Sequence, residues 1–127
     1  MEVRGTNVKR VMSASSLMND KVMNAEGEDL GKIEEFMIDL DSGCIAYAVL
    51  SFGGFLGLGD KLFAVPFHAM KLDEDKKCFI LNVPKDRFKD AQGFDKSNWP
   101  DMADQTWGTA IHEYYGYEPY WKTGSKY

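Results

Sequence analysis

Apolar and polar positions alternate along this chain in short blocks, and the blocks have the length of strands rather than of helices. After a polar start, Ser13 to Asp20 reads as a capped turn or short helix leading into a strand at Lys21-Val22-Met23-Asn24. Ala25 to Asp29 supplies turn chemistry. Leu30 to Asp39 mixes apolar and charged residues without a clean period, which predicts a twisted, bulged strand. The tight turn Asp41-Ser42-Gly43 then delivers the chain into Cys44 to Phe52, a strand apolar on both faces and therefore central. A further strand runs from Lys61 to Phe67, with Pro66 marking its end or an edge position, because proline cannot donate to a ladder. His68-Ala69-Met70 reads as a short turn. Lys71-Leu72-Asp73 and Cys78 to Val83, joined by the charged turn Glu74 to Lys77, form one more hairpin. With no long crossover helix between strands, the pattern predicts a mainly β fold: a small antiparallel barrel of about six strands with short helices.

Between the two most apolar strands lies Ser51-Phe52-Gly53-Gly54-Phe55-Leu56-Gly57-Leu58-Gly59-Asp60. Gly53, Gly54, Gly57 and Gly59 alternate with bulky apolar residues, so the segment reads as a structural hinge at which a barrel strand bends and turns back. A phosphate-binding reading fails on its own terms. Gly54 and Gly59 have the right spacing, but Asp60 precedes Lys61 and no Ser or Thr follows, which places an anion where phosphates would sit. No dinucleotide motif survives either, since Gly57-Leu58-Gly59 leads to Leu62 rather than to a glycine and a helix.

Past Leu81 the character of the chain changes. Pro84 to Ala91 predicts a short helix, with proline in its first turn and Gly93 beyond its end. All eight phenylalanines lie at or before Phe94, whereas all three tryptophans and five of the six tyrosines lie from Trp99 onward. Phenylalanine suits a dry core; tyrosine and tryptophan carry a polar handle and favour partly wet surfaces and interfaces. Asp104 caps a predicted helix through Trp107, Ile111, Tyr114 and Tyr115, whose spacing puts them on one side, and Gly116 stops it. Tyr117-Glu118-Pro119-Tyr120-Trp121 then reads as an extended aromatic segment. The expected organisation is an N-terminal arm over residues 1–11, a barrel over 12–84 and a docked aromatic extension over 85–127.

The chain has 127 residues, is 44% hydrophobic and carries a net charge of −5. That length suits one domain with a core of its own, and the charge works against a broad phosphate-binding surface, so nucleic acid is disfavoured as a partner. From Asp20 to Asp41 eight acids face two lysines, the composition of a solvated hairpin face, while residues 1–10 carry a local balance of +2. No apolar stretch approaches the roughly 20 residues that span a bilayer, and the N-terminus lacks an apolar signal core, which predicts a cytoplasmic protein without membrane insertion. Cys44 and Cys78 lack the dense spacing of a stapled secreted domain and read as two buried thiols; the strand order envisaged makes them neighbours, which leaves a disulfide open.

Candidate chemistry is thin. Asp39-Leu40-Asp41-Ser42-Gly43 begins like a calcium loop, but glycine occupies the third ligand position and Leu50 the place of the bidentate acid. The run Asn24, Glu26, Glu28 and Glu35 offers oxygen ligands yet has Asp29 where the turn glycine belongs. His68 and His112, the two histidines, lack partners at zinc spacing, and neither Ser51 nor Cys44 has a visible base or elbow. No catalytic, cofactor or metal site is therefore expected.

Leu30-Gly31-Lys32-Ile33 through Met37-Ile38-Asp39, the Asp-Ser-Gly turn, Ala46-Tyr47-Ala48-Val49, and Phe52-Gly53-Gly54-Phe55 through Leu62-Phe63-Ala64-Val65-Pro66 together resemble a PRC-barrel domain. Gly93 to Met102 also resembles the extension of stand-alone bacterial members. The resemblance implies a small barrel used as a protein-interaction module with no common enzymatic activity. The family takes its name from the cytoplasmic domain of the photosynthetic reaction-centre H subunit and includes the C-terminal domain of a ribosome maturation factor, but neither role transfers residue by residue.

The leading expectation is a non-catalytic module with a protein partner, self-associating through Trp107, Ile111, Tyr114, Tyr115, Tyr120 and Trp121 of the extension. One alternative is a peripheral accessory or assembly factor for a membrane complex, as the H-subunit resemblance implies. Another is a small-molecule or metal binder, or an unrecognised hydrolase, using His68 near the glycine corner.

Overall fold

The computed structural model describes residues 11–52 and 61–122, so the hinge glycines Gly53, Gly54, Gly57 and Gly59 lie outside the described residues. A short helix α1 (Ala14–Leu17), capped by the Ser13 hydroxyl, precedes strands β1 (Lys21–Met23), β2 (Asp29–Ile38), β3 (Ile45–Ser51) and β4 (Leu62–Pro66). A single 3₁₀ turn (Phe67–Ala69) leads into β5 (Met70–Asp73) and β6 (Cys78–Leu81); a second 3₁₀ turn (Lys85–Lys89), helix α2 (Gln105–Tyr115) and a third 3₁₀ turn (Tyr120–Lys122) follow.

The six strands form one sheet in the order β4-β3-β2-β1-β6-β5. Neighbouring pairs are antiparallel except β1 and β6, which run parallel in the register Lys21 to Cys78 through Met23 to Ile80. The sheet is thus mixed, which corrects the antiparallel expectation. The reason is topological: β1 and β2 form a local hairpin, β5 and β6 form another, and the second docks on the free flank of β1 after the chain has passed through β3 and β4. Nor do the recorded pairings join β4 to β5 into a closed ring.

The sheet nevertheless curls like a barrel, and the connection lengths require it. Edge strands β4 and β5 are joined by three residues, Phe67 to Ala69. Across a flat sheet of six strands the two edges would lie about 24 Å apart, while the four peptide steps from Pro66 to Met70 reach about 14 Å. Bulges help the bending. The register of β2 against β3 slips between Ile33 and Glu35 and again between Met37 and Ile38, as the irregular sequence pattern predicts. At Gly31, φ is +106° and the carbonyl oxygen of Ser51 lies 2.3 Å from where a β-carbon would stand, so β2 crosses the end of β3 at a distance only glycine permits.

Inside the curl the phenylalanines meet edge to face. Phe36 of β2 contacts Phe67 at 5.9 Å between ring centroids, and Phe67 contacts Phe79 of β6 at 6.3 Å. Farther along, Phe52, Phe63 and Phe88 form a triangle with separations of 4.8 to 5.6 Å. Val22, Leu30, Ile33, Leu50, Val65 and Leu81, all buried, belong to the same core. Among the described residues one amide side chain is buried, that of Asn24, and it is fully employed: its Nδ2 donates to Glu28 and to the Val83 carbonyl, and its Oδ1 accepts from the Glu26 and Glu28 amides. Those bonds hold the turn between β1 and β2 and use the oxygen that a calcium reading would need.

Strand β3 is buried on both faces because the sheet is covered on both. Ala48 and Leu50 sit opposite Val65 and Phe63 of β4 and share a face with them, while Tyr47, on the other face, meets helix α2. The outer edge of β4 is covered at its start: the Leu62 and Phe94 amides and carbonyls exchange bonds of 2.8 and 2.9 Å. Pro66 ends this edge strand, as expected. The short helix expected after Pro84 is present as a 3₁₀ helix at Lys85–Lys89, whereas the aromatic segment after Gly116 closes in a 3₁₀ turn at Tyr120–Lys122 rather than running extended. Neither Cys44 nor Cys78 forms a disulfide; Cys78 is buried, as expected, whereas Cys44 is only partly buried. Cys44 precedes β3 and Cys78 opens β6, with β2 and β1 between those strands, so the envisaged adjacency and disulfide fall away.

Candidate interaction surface

Helix α2 begins where Asp104 accepts the Thr106 amide at 2.9 Å and ends at Gly116, whose φ of +84° provides the left-handed stop. Between them the apolar spacing turns Trp107, Ile111 and Tyr115 toward the sheet. Gly108 makes close docking possible: a β-carbon there would stand 2.6 Å from the Tyr47 hydroxyl and 2.8 Å from the Trp121 ring. Tyr47 gathers Trp107, His112 and Tyr120 around it at 5.3 to 5.9 Å.

His112 is completely buried at the centre of this group and is satisfied on both sides. Its Nδ1–H donates to the Gly108 carbonyl at 2.7 Å, and its Nε2 accepts the Tyr120 amide at 3.1 Å. Only the neutral ring can do both. His68 stacks on it at 5.6 Å, with Tyr117 edge-on to His68 at 5.5 Å. Burial holds the pKa of His112 below 6.5; the Gly108 bond opposes this, and neighbouring His68 adds to the lowering. His68 is likewise lowered by burial, against a backbone contact at Glu118. With both nitrogens committed to backbone, His112 is a fastener for the tail.

A second fastener ties the tail to the β2–β3 turn. The Tyr120 hydroxyl donates to Asp39 Oδ2 at 2.7 Å, while Asp39 Oδ1 accepts the Asp41 and Ser42 amides at 2.9 and 3.3 Å. The Tyr120 hydroxyl is the main reason the Asp39 carboxyl titrates below 3.8; partial burial opposes it, and the two turn amides assist. The acidic turn that begins like an ion loop therefore spends its first carboxylate on its own backbone and on the tail. A third fastener joins Arg87 and Tyr114: the guanidinium donates to the Tyr114 carbonyl and lies 4.4 Å from the centre of the Tyr114 ring, and the Tyr114 hydroxyl donates to the Arg87 carbonyl. Tyr115 packs on Phe88, and burial pushes its phenol far above 10.

The six residues expected to contact a partner thus all touch their own chain. Ile111, Tyr115 and Tyr120 are buried, and Trp107, Tyr114 and Trp121 are partly buried against the core. The docked tail instead shapes a groove of about 450 Å³ between itself and the β2–β3 turn, lined by Met37 to Asp41, Ala46, Tyr47, Met102, Ala103, Gln105, Tyr120 and Trp121. On its lip Ile38 is 55% exposed and Leu40 90%. The sequence held one sign of this surface, a leucine between two aspartates in a turn, where no core position calls for it. Among the described residues, no group of three or more His, Cys, Asp or Glu side chains is placed to hold a metal, and no helix is long and apolar enough to cross a membrane.

A curled six-stranded sheet carrying an accessory helix, with its distinctive surface in a turn and a tail, defines a small mainly β domain of the barrel type. The chain belongs to the PRC-barrel family, whose family model matches residues 9–88. Domains of this family serve in general as protein-interaction modules. The match ends at Phe88, so α2 and the tail that wall the groove lie beyond it. A comparison with curated proteins found no significant match.

Proposed function

We propose that this PRC-barrel protein is a non-catalytic interaction module that binds a protein partner at the surface its docked aromatic tail helps to form. One observation carries the reading: Ile38 and Leu40 stand exposed on the lip of a groove walled by Tyr120 and Trp121. Large apolar side chains gathered at one place on a surface mark contact sites. The engagement of both His112 nitrogens by backbone supports the absence of acid–base chemistry at His112.

Self-association is the more specific form of this proposal. It would use the exposed remainder of the tail outside the groove, including Tyr117 at 38% exposure. Light scattering on the intact chain over a range of concentrations tests it. A mass above 14.4 kDa that rises with concentration supports self-association, and a strictly monomeric mass ends it. Deleting residues from Trp99 onward is a poorer test, because it would also strip the cover from Tyr47. Service to a membrane complex would run through the protein part of that complex, since a net charge of −5 disfavours direct contact with anionic lipid.

A further inference from the structure

We infer that the groove between the β2–β3 turn and the tail takes a short apolar peptide segment flanked by lysine or arginine, presented by another protein. The inference rests on the interaction-module reading and adds the chemistry of the partner. The floor and lip are apolar: Met37, Ile38, Leu40, Ala46, Met102 and Trp121. The charged groups in the lining are both acids, Asp39 and Asp41. Asp101 and Asp104 flank the lining pair Met102-Ala103 in sequence and are exposed, whereas Lys122 is the single base adjoining any lining residue.

Charge complementarity selects the occupant. With two carboxylates and no base among its lining residues, the groove sets a negative potential over an apolar floor, and low-dielectric walls focus such a field. Asp39 stays ionised down to acid pH because Tyr120 and the turn amides bond its charged form. Two copies of this face laid against each other would bring carboxylates together, which opposes an isologous dimer at this site. A segment with basic flanks meets no such opposition, and its apolar side chains bury Leu40. The volume, about 450 Å³, holds a few side chains, within the range of peptide and small-ligand clefts.

The test is selection from a random-peptide phage library on the immobilised full chain, with fluorescence anisotropy on the enriched peptides. Enriched sequences should carry apolar residues flanked by Lys or Arg, and their affinity should fall as salt is raised. Leu40→Asp changes a side chain with almost no core contact, so the fold is kept, and it should weaken binding roughly tenfold. Asp41→Lys combined with Asp101→Lys should reverse the charge preference of the enriched set. No enrichment, or an acidic or neutral enriched set, overturns the inference. Enriched peptides whose binding ignores Leu40→Asp and the charge reversal also overturn it, yet leave the interaction-module reading standing. If the chain alone dimerises and Leu40→Asp returns it to monomer, the occupant is a second copy and the peptide assignment is wrong.

Discussion

Two aromatic clusters lie on opposite sides of the same sheet, and they hold the molecule by different means. Inside the curl, Phe36, Phe52, Phe63, Phe67, Phe79 and Phe88 pack by shape alone. Under helix α2, Tyr47, Trp107, His112, Tyr120 and Trp121 pack just as closely, but the cluster also carries directional bonds: His112 donates to Gly108 and accepts from the Tyr120 amide, and the Tyr120 hydroxyl donates to Asp39. A phenylalanine core tolerates sliding and punishes lost volume. A tyrosine and histidine cluster fixes one docking position and punishes lost bonds, which suits a tail whose placement must define a groove.

The contrast can be broken most sharply from the inside. Phe63→Ala removes a fully buried ring shared by Phe52 and Phe88 and should cost about 3–5 kcal/mol in urea unfolding. A loss below about 1 kcal/mol would mean that the interior is not close-packed.

On the outer side, Gly108→Ala drives a methyl against Tyr47 and Trp121. It should cost about 2 kcal/mol and shift tryptophan emission to the red as Trp121 is displaced. An unchanged spectrum would show that the tail does not depend on this close approach.

His112→Phe keeps the ring but deletes both bonds, leaving the Tyr120 amide and Gly108 carbonyl with one partner fewer. It should cost about 2 kcal/mol and flatten the pH profile. In the native protein the folded pKa values of His112 and His68 lie below 6.5, so the unfolded chain binds more protons in that interval. Stability is therefore full above pH 6.5 and falls as pH drops through the lowered folded values. Thermal unfolding midpoints across that window, native against variant, check the sign; a midpoint that rises on acidification would contradict it.

Tyr120→Phe removes one hydroxyl and should cost about 1 kcal/mol. It should also bring the Asp39 pKa back toward 3.8, visible in carboxyl NMR titration, because its chief stabilising bond is gone. The smallest effect belongs to the lip: Leu40→Asp should change stability by no more than about 0.5 kcal/mol, since Leu40 is 90% exposed. A larger loss would place Leu40 in the fold rather than in recognition.

Much of the fold was legible because its signals are local. Asp104 and Gly116 bracket α2 by capping chemistry, Pro66 ends an edge strand, and the broken period of Leu30 to Asp39 announces a bulged strand. The division of phenylalanine from tyrosine and tryptophan along the chain also foretold two environments, since a ring with a polar tip needs a bonding partner and a ring without one does not. Family membership was legible for the same reason, being carried by turn and strand residues in a fixed order.

What the sequence could not decide is everything that depends on which distant segments become neighbours. The parallel pairing of β1 with β6, the separation of Cys44 from Cys78 and the stacking of His68 on His112 each arise when the curl brings remote elements together. The same holds for the surface. Aromatic composition marked the tail as the place of contact, but tertiary packing spent Ile111, Tyr115 and Tyr120 on the chain's own core and left Ile38 and Leu40 exposed at the edge. Sequence determines what a side chain can bond or bury; only the fold decides which of those capacities are already used.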